Sequence, residues 1–133
     1  MDDLWKLTNV VRETAFAIHT YLKHGHLEKV YENALMHRLL KAGVPAKQQS
    51  PIGVFDEDGT RLGEYFADLF IDDVLIVEIK AARALSPEHE AQLIGYLRST
   101  RVEHGLLINF GSPRFQIRKY VLSRVVGPGR SSD

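Results

Sequence analysis

The sequence predicts an α/β domain of the α+β kind: a mixed sheet with helices on both faces. Three observations carry this. Two stretches with helical periodicity open the chain, three strand-like stretches follow on short turns, and a helix and a buried strand come last. There are no internal repeats and no interdomain linker, so residues 1–126 read as one domain.

Leu4, Leu7, Val11, Ala15, Ile18 and Leu22 recur at helical spacing, predicting a helix over residues 4–23, with Gly25 as its C-cap. A second helix is expected from about residue 27 to 42, closed by Gly43 and Pro45. Strands follow at about 46–55 and 62–71, separated by the turn sequence Asp56-Glu57-Asp58-Gly59. Asp72-Asp73 then turns the chain into a third strand at 74–80. Ser86-Pro87 supplies an N-cap and a proline at the first position of a helix running to about Thr100. Residues 105–110 read as one apolar run, as in a central strand buried on both faces, and a short strand is expected near 116–122. Residues 127–133 are rich in Gly, Pro and Ser and read as a disordered tail.

At 133 residues and 44% apolar content, the chain is long enough for a real core. Cysteine is absent, which excludes disulfides and thiolate metal sites; a metal must sit on oxygen or imidazole, favouring Mg²⁺ or Mn²⁺. No apolar run approaches the roughly 20 residues of a membrane span and the N-terminus does not open a signal peptide, so the expected location is cytoplasmic, with no membrane partner. Net charge is zero, but it is unevenly spread. Residues 1–97 carry 10 Lys/Arg against 15 Asp/Glu, and residues 98–133 carry 7 against 2. A basic C-terminal surface beside an acidic site suits a phosphate backbone.

The residues that most need explaining are Asp68, Glu78 and Lys80, charges set inside apolar strand-like runs. Burying a lone charge costs several kcal/mol. A divalent cation held by the two carboxylates, with the ammonium beside it facing an anionic substrate, satisfies all three. In a strand, Glu78 and Lys80 share a face with Ile76. Asp68 joins them only in one register. A two-residue turn at Asp72-Asp73 sets Asp68 opposite Val77, on the wrong face. A three-residue connection through Val74 pairs Ile71 with Leu75 and sets Asp68 opposite Glu78, about 5 Å away between Cβ atoms. A three-residue or bulged connection is therefore expected.

A helical wheel of the second helix places Glu28 within the apolar face, about 100° from Leu27, and Glu32 near 140°, at its solvated margin. Glu28 is thus expected as a buried carboxylate partnered by the metal or by Lys80. On the next helix His89, Gln92 and Tyr96 share one strip and are candidates for holding a phosphate or a base. His19, His24, His26, His37 and His104 lack zinc-type spacing, and no Gly-rich phosphate loop or nucleophile elbow is present.

Gly25-His26-Leu27-Glu28-Lys29-Val30-Tyr31 fits a GxxExxY signature, and Gly63-Glu64-Tyr65, Ala67-Asp68-Leu69, Val77-Glu78-Ile79-Lys80 and Gly105 to Gly111 extend the match over about residues 7–122. The chain resembles the GxxExxY proteins of the PD-(D/E)XK nuclease-like superfamily. The resemblance implies a restriction-endonuclease-like αβββαβ core with its site where the strand meander splays. It implies Asp68, Glu78, the Ile79 carbonyl and Glu28 as ligands of Mg²⁺ or Mn²⁺, Lys80 as the residue that orients the attacking water, and Gln92 to Tyr96 as a QxxxY motif of the RecB-like kind approaching the substrate. Ala67 stands where the superfamily name has proline, which is no ligand. The expected activity is hydrolysis of phosphodiester bonds in nucleic acid, DNA in preference to RNA, with a homodimer or partner protein adding grip. The rival expectation is a non-catalytic module that binds nucleic acid or protein on the same scaffold.

Overall fold

A computed structural model describes residues 3–122. The helices are α1 (Asp3–Leu22), α2 (Glu28–Lys41) and α3 (Pro87–Thr100). The strands are β1 (Ala46–Phe55), β2 (Arg61–Ile71), β3 (Leu75–Lys80), β4 (His104–Asn109) and β5 (Gln116–Val121). The five strands form one sheet in sequence order. Neighbours linked by short loops are antiparallel, and β3 and β4, linked through α3, are parallel. A parallel pair needs a crossover of a dozen or more residues, and α3 supplies it. The expected tail at 127–133 lies outside the described residues.

The sheet is covered on both faces. Val11, Ala15 and Ile18 of α1 and Tyr31, Leu35 and Leu39 of α2 pack on Leu69, Ile71, Leu75, Val77, Ile79, Leu106 and Ile108. Leu93 and Leu97 of α3 pack on Ile52, Tyr65, Ala67, Ile76 and Leu107 from the other side. β3 and β4 are buried on both faces, which explains their unbroken apolar runs.

The link from α1 to α2 is built by the Gly25…Tyr31 stretch. α1 ends one residue earlier than its pattern implied. Lys23, not Gly25, is the left-handed residue after the helix, and its amide donates to the His19 carbonyl at 2.9 Å. Gly25 takes φ +114°, a conformation closed to most side chains, and redirects the chain into α2. Tyr31 is fully buried and stacked on Phe110 at 4.7 Å. Its hydroxyl donates to the Lys23 carbonyl at 2.5 Å and accepts from the His26 amide at 3.1 Å. The tyrosine thus pins the start of α2.

Two departures from regular sheet geometry position the functional residues. The first is the connection from β2 to β3. Asp72 and Asp73 both have positive φ (52° and 56°), a region aspartate tolerates, and the Val74 amide closes onto the Ile71 carbonyl at 3.1 Å. Ile71 consequently pairs with Leu75, as the three-residue connection required. The second was not foreseen. Leu69 and Ile71 face α1 and α2, whereas Tyr65 and Ala67 face α3. Strict alternation would put all four on one side, so β2 changes phase at Asp68. Across from it Gln49 sits in β1 at φ 51°, between the Gln48–Leu69 and Ser50–Ala67 pairs, and the ladder is interrupted there.

Candidate active site

The β2–β3 ladder runs Ile71–Leu75, Phe70–Ile76, Leu69–Val77 and stops. Its next rung would be Asp68 opposite Glu78. There the two carboxylates take over the bonding. The Ile79 amide donates to Asp68 Oδ2 at 2.8 Å, and the Asp68 amide donates to Glu78 Oε2 at 3.3 Å. The Tyr65 hydroxyl donates to the same Glu78 oxygen. The strands therefore part at the expected pair. Lys80, two residues beyond Glu78 on the same face of β3, is half-buried and near enough to Glu28, Asp68 and Glu78 to draw all three carboxyls down.

Negative charge is in excess. Burial first, and then Asp68, push the Glu78 carboxyl up to about 7, against the opposing bonds from Tyr65 and the Asp68 amide. Asp68 is also raised, mainly by burial and further by Glu32, with the Ile79 amide opposing. Glu28 is raised by partial cover of its carboxyl and by Asp68, with Lys80 opposing.

The helix glutamates exchange the environments expected of them. Glu32 is 3% exposed, not solvated, and Glu28 is exposed. The buried face of α2 is centred on Tyr31, Leu35 and Leu39. Glu28 is the first residue of the helix, within electrostatic reach of Asp68 and Lys80. Glu32 lies one turn inward, under β1. Its Oε2 accepts from Gln48 Nε2 at 2.6 Å and Lys29 Nζ at 2.8 Å, and its Oε1 accepts from Gln49 Nε2 at 3.1 Å. The Gln49 amide also reaches Asp68 Oδ1 at 3.2 Å. One glutamine held in a left-handed conformation thus joins two carboxylates.

The strip on α3 is divided. Tyr96 lies at the site: its ring stacks on Tyr65 at 3.7 Å and 19°. Gln92 is exposed. His89 is occupied at the helix start, where its Nδ1 accepts from the Ser86 amide while Ser86 Oγ accepts from the His89 amide, both at 3.2 Å. This is a capping box with histidine in the usual Glu/Gln position.

Sequence reasoning missed Glu32, Gln49 and Tyr65. Gln49 and Tyr65 gave no periodic signal, because their contacts depend on the phase change in β2. It also missed Asn109, which is fully buried. Its Oδ1 accepts from the Ala82 amide at 2.9 Å and the Gly111 amide at 3.0 Å, and its Nδ2 donates to the Ala82 carbonyl and Gln116 Oε1, both at 2.9 Å. This clamp fixes the chain just beyond Lys80. A polar residue inside an otherwise apolar strand was the available signal.

A family model for the PD-(D/E)XK nuclease superfamily matches residues 5–120. The chain belongs to this superfamily. The mixed five-stranded sheet with helices is consistent with its restriction-endonuclease-like fold. The crystal structure of SSO0001 is similar, with a TM-score of 0.55 at 20% identity over 70% of this chain and 48% of that one. At that identity the likeness shows the fold, and the chain spans about half that protein's length. No curated protein matches the chain. No helix among the described residues is long and apolar enough to cross a membrane.

Nucleases of the superfamily generally use Mg²⁺ or Mn²⁺ and typically act on nucleic acid. Among the described residues no three acidic or imidazole groups stand as a ready-formed metal cage. The donor chemistry nevertheless fits a hard divalent cation. Asp68 and Glu78 meet at the strand opening, both buried enough to be raised, with oxygen as the only ligand type.

Proposed function

We propose that the chain is a Mg²⁺- or Mn²⁺-dependent nuclease of the GxxExxY type, hydrolysing phosphodiester bonds of nucleic acid, DNA in preference to RNA. The observation that carries the reading is the meeting of Asp68 and Glu78 where β2 and β3 part, with Lys80 next on the same face. In this reading Asp68, Glu78 and the Ile79 carbonyl hold the ion and Glu28, projecting from the start of α2, completes its surroundings. When bound, the ion acidifies an attacking water and offsets charge growing on the phosphate.

The remaining work falls to the chain itself. The Ile79 amide holds Asp68 by one oxygen. Gln49 holds the other against repulsion from Glu32. Lys80 is the cation that orients the attacking water and faces the phosphate. Tyr96 and Gln92 lie toward the substrate backbone, and His89 flanks them from the helix cap.

The test is incubation with Mg²⁺ or Mn²⁺ and single-stranded, duplex or structured DNA and RNA. Cleavage by the wild-type chain, lost in both Asp68→Ala and Lys80→Ala, is expected. Cleavage surviving both substitutions refutes the assignment. Metal binding with no cleavage of any substrate would favour a non-catalytic module on the nuclease scaffold.

A further inference from the structure

We propose that Tyr65 is a positioning residue, whose hydroxyl fixes the Glu78 carboxylate so that its second oxygen is presented to a divalent cation at the strand opening. The proposal rests on the metal reading of Asp68 and Glu78 and adds to it a residue that touches neither ion nor substrate.

Three observations carry it. The phase change in β2 turns Tyr65 to the α3 side of the sheet, where it is 8% exposed, while Asp68, three residues on, remains in reach of Gln49 and so of Glu32. From there the phenol donates to Glu78 Oε2, the oxygen that also takes the Asp68 amide. Two donors on one oxygen fix the plane of the carboxylate and leave Oε1 uncommitted among the described residues. Finally, the Tyr65 ring lies flat on Tyr96, so the phenol cannot swing away without breaking the stack on α3.

The chemistry suits the position. A lysine or arginine there would neutralise Glu78 and compete with an incoming cation. A neutral phenol donates one hydrogen bond and leaves the carboxylate its charge. Groups that hold a ligating carboxylate from behind set its orientation, and their loss commonly weakens metal binding 10- to 100-fold.

Tyr65→Phe separates positioning from packing, because phenylalanine keeps the ring, its volume and the stack. Mn²⁺ binding to the purified chain is measured by titration calorimetry without nucleic acid, with melting in EDTA recorded in parallel. Wild type should bind Mn²⁺ and Glu78→Gln should lose it. Tyr65→Phe should bind about 10- to 100-fold more weakly, whereas Tyr120→Phe, which removes a phenol on β5, should bind as wild type does. If Tyr65→Phe fails to melt cooperatively, Tyr96→Leu is the substitute: it keeps the hydroxyl, loosens the stack, and should weaken Mn²⁺ by a smaller factor. Unchanged or tighter binding in the folded variant overturns the positioning role and leaves the metal reading standing. A wild-type chain that takes no Mn²⁺ overturns both.

Discussion

The pH dependence of stability offers a direct test of the electrostatics at the strand opening. The perturbation is Glu78→Gln, studied with EDTA present. In the folded chain the Glu78 carboxyl is raised from 4.5 to about 7, by burial first and by Asp68 second. Between these values the native state keeps a proton that the unfolded chain has released. Native protein therefore binds more protons than unfolded protein, and stability falls as pH rises through this window, levelling above about 7. A shift of roughly 2.5 units at 1.36 kcal/mol each gives a loss of about 3 kcal/mol between pH 4.5 and 8. Only 8% of Glu78 is exposed, so solvent screening removes little of this. Glutamine cannot ionise. The variant should lose most of the slope, keep a remainder from Asp68 and Glu28, and overtake wild type at pH 8. Urea unfolding at pH 5, 6, 7 and 8 measures it. Parallel stability curves for wild type and variant would refute the reasoning, because Glu78 would then titrate alike in both states.

Three further outcomes are expected. Adding Mn²⁺ at pH 8 should raise the wild-type melting temperature, with a gain that grows with metal concentration, and should leave Glu78→Gln unchanged. Asn109→Leu should cost on the order of 3 kcal/mol in urea unfolding, because the amide and carbonyl of Ala82 and the amide of Gly111 lose partners in a part-buried place; a cost under about 0.5 kcal/mol would show that the clamp is dispensable. Gly111→Ala should destabilise by about 1–3 kcal/mol or more, since a Cβ there would meet the Ala81 carbonyl carbon at 2.3 Å, and a melting temperature equal to wild type would contradict that close approach.

Much of the architecture was legible in the chain because local rules point the same way throughout. Helical spacing marked α1, Ser86-Pro87 marked the start of α3, and the apolar runs marked β3 and β4. The site was partly legible for a related reason. A charge within an apolar strand is costly, so Asp68, Glu78 and Lys80 stood out, and the requirement that the first two meet chose the three-residue register over the two-residue one, as the ladder has it. The helical wheel gave Glu28 its neighbours Asp68 and Lys80 but not its exposure, because an angle about a helix does not say what covers the first turn. Glu32 was misread as solvated for a complementary reason: its cover comes from Gln48 and Gln49 on a strand that follows more than a dozen residues later. His89 was read only as a possible substrate contact, although its spacing from Ser86 also fits a helix cap.

The sequence by itself determined the order of elements and, once Asp68 and Glu78 were required to meet, the three-residue link from β2 to β3, both consequences of spacing and residue type along one stretch of chain. Only the tertiary structure decided which carboxylate is buried, that β2 changes face at Asp68, and that Tyr65 reaches Glu78 with Tyr96 against its ring. Those contacts join residues on different elements, and they depend on how a strand twists where its ladder stops. Periodicity reports the face a residue presents while the element stays regular, and at this site regularity ends.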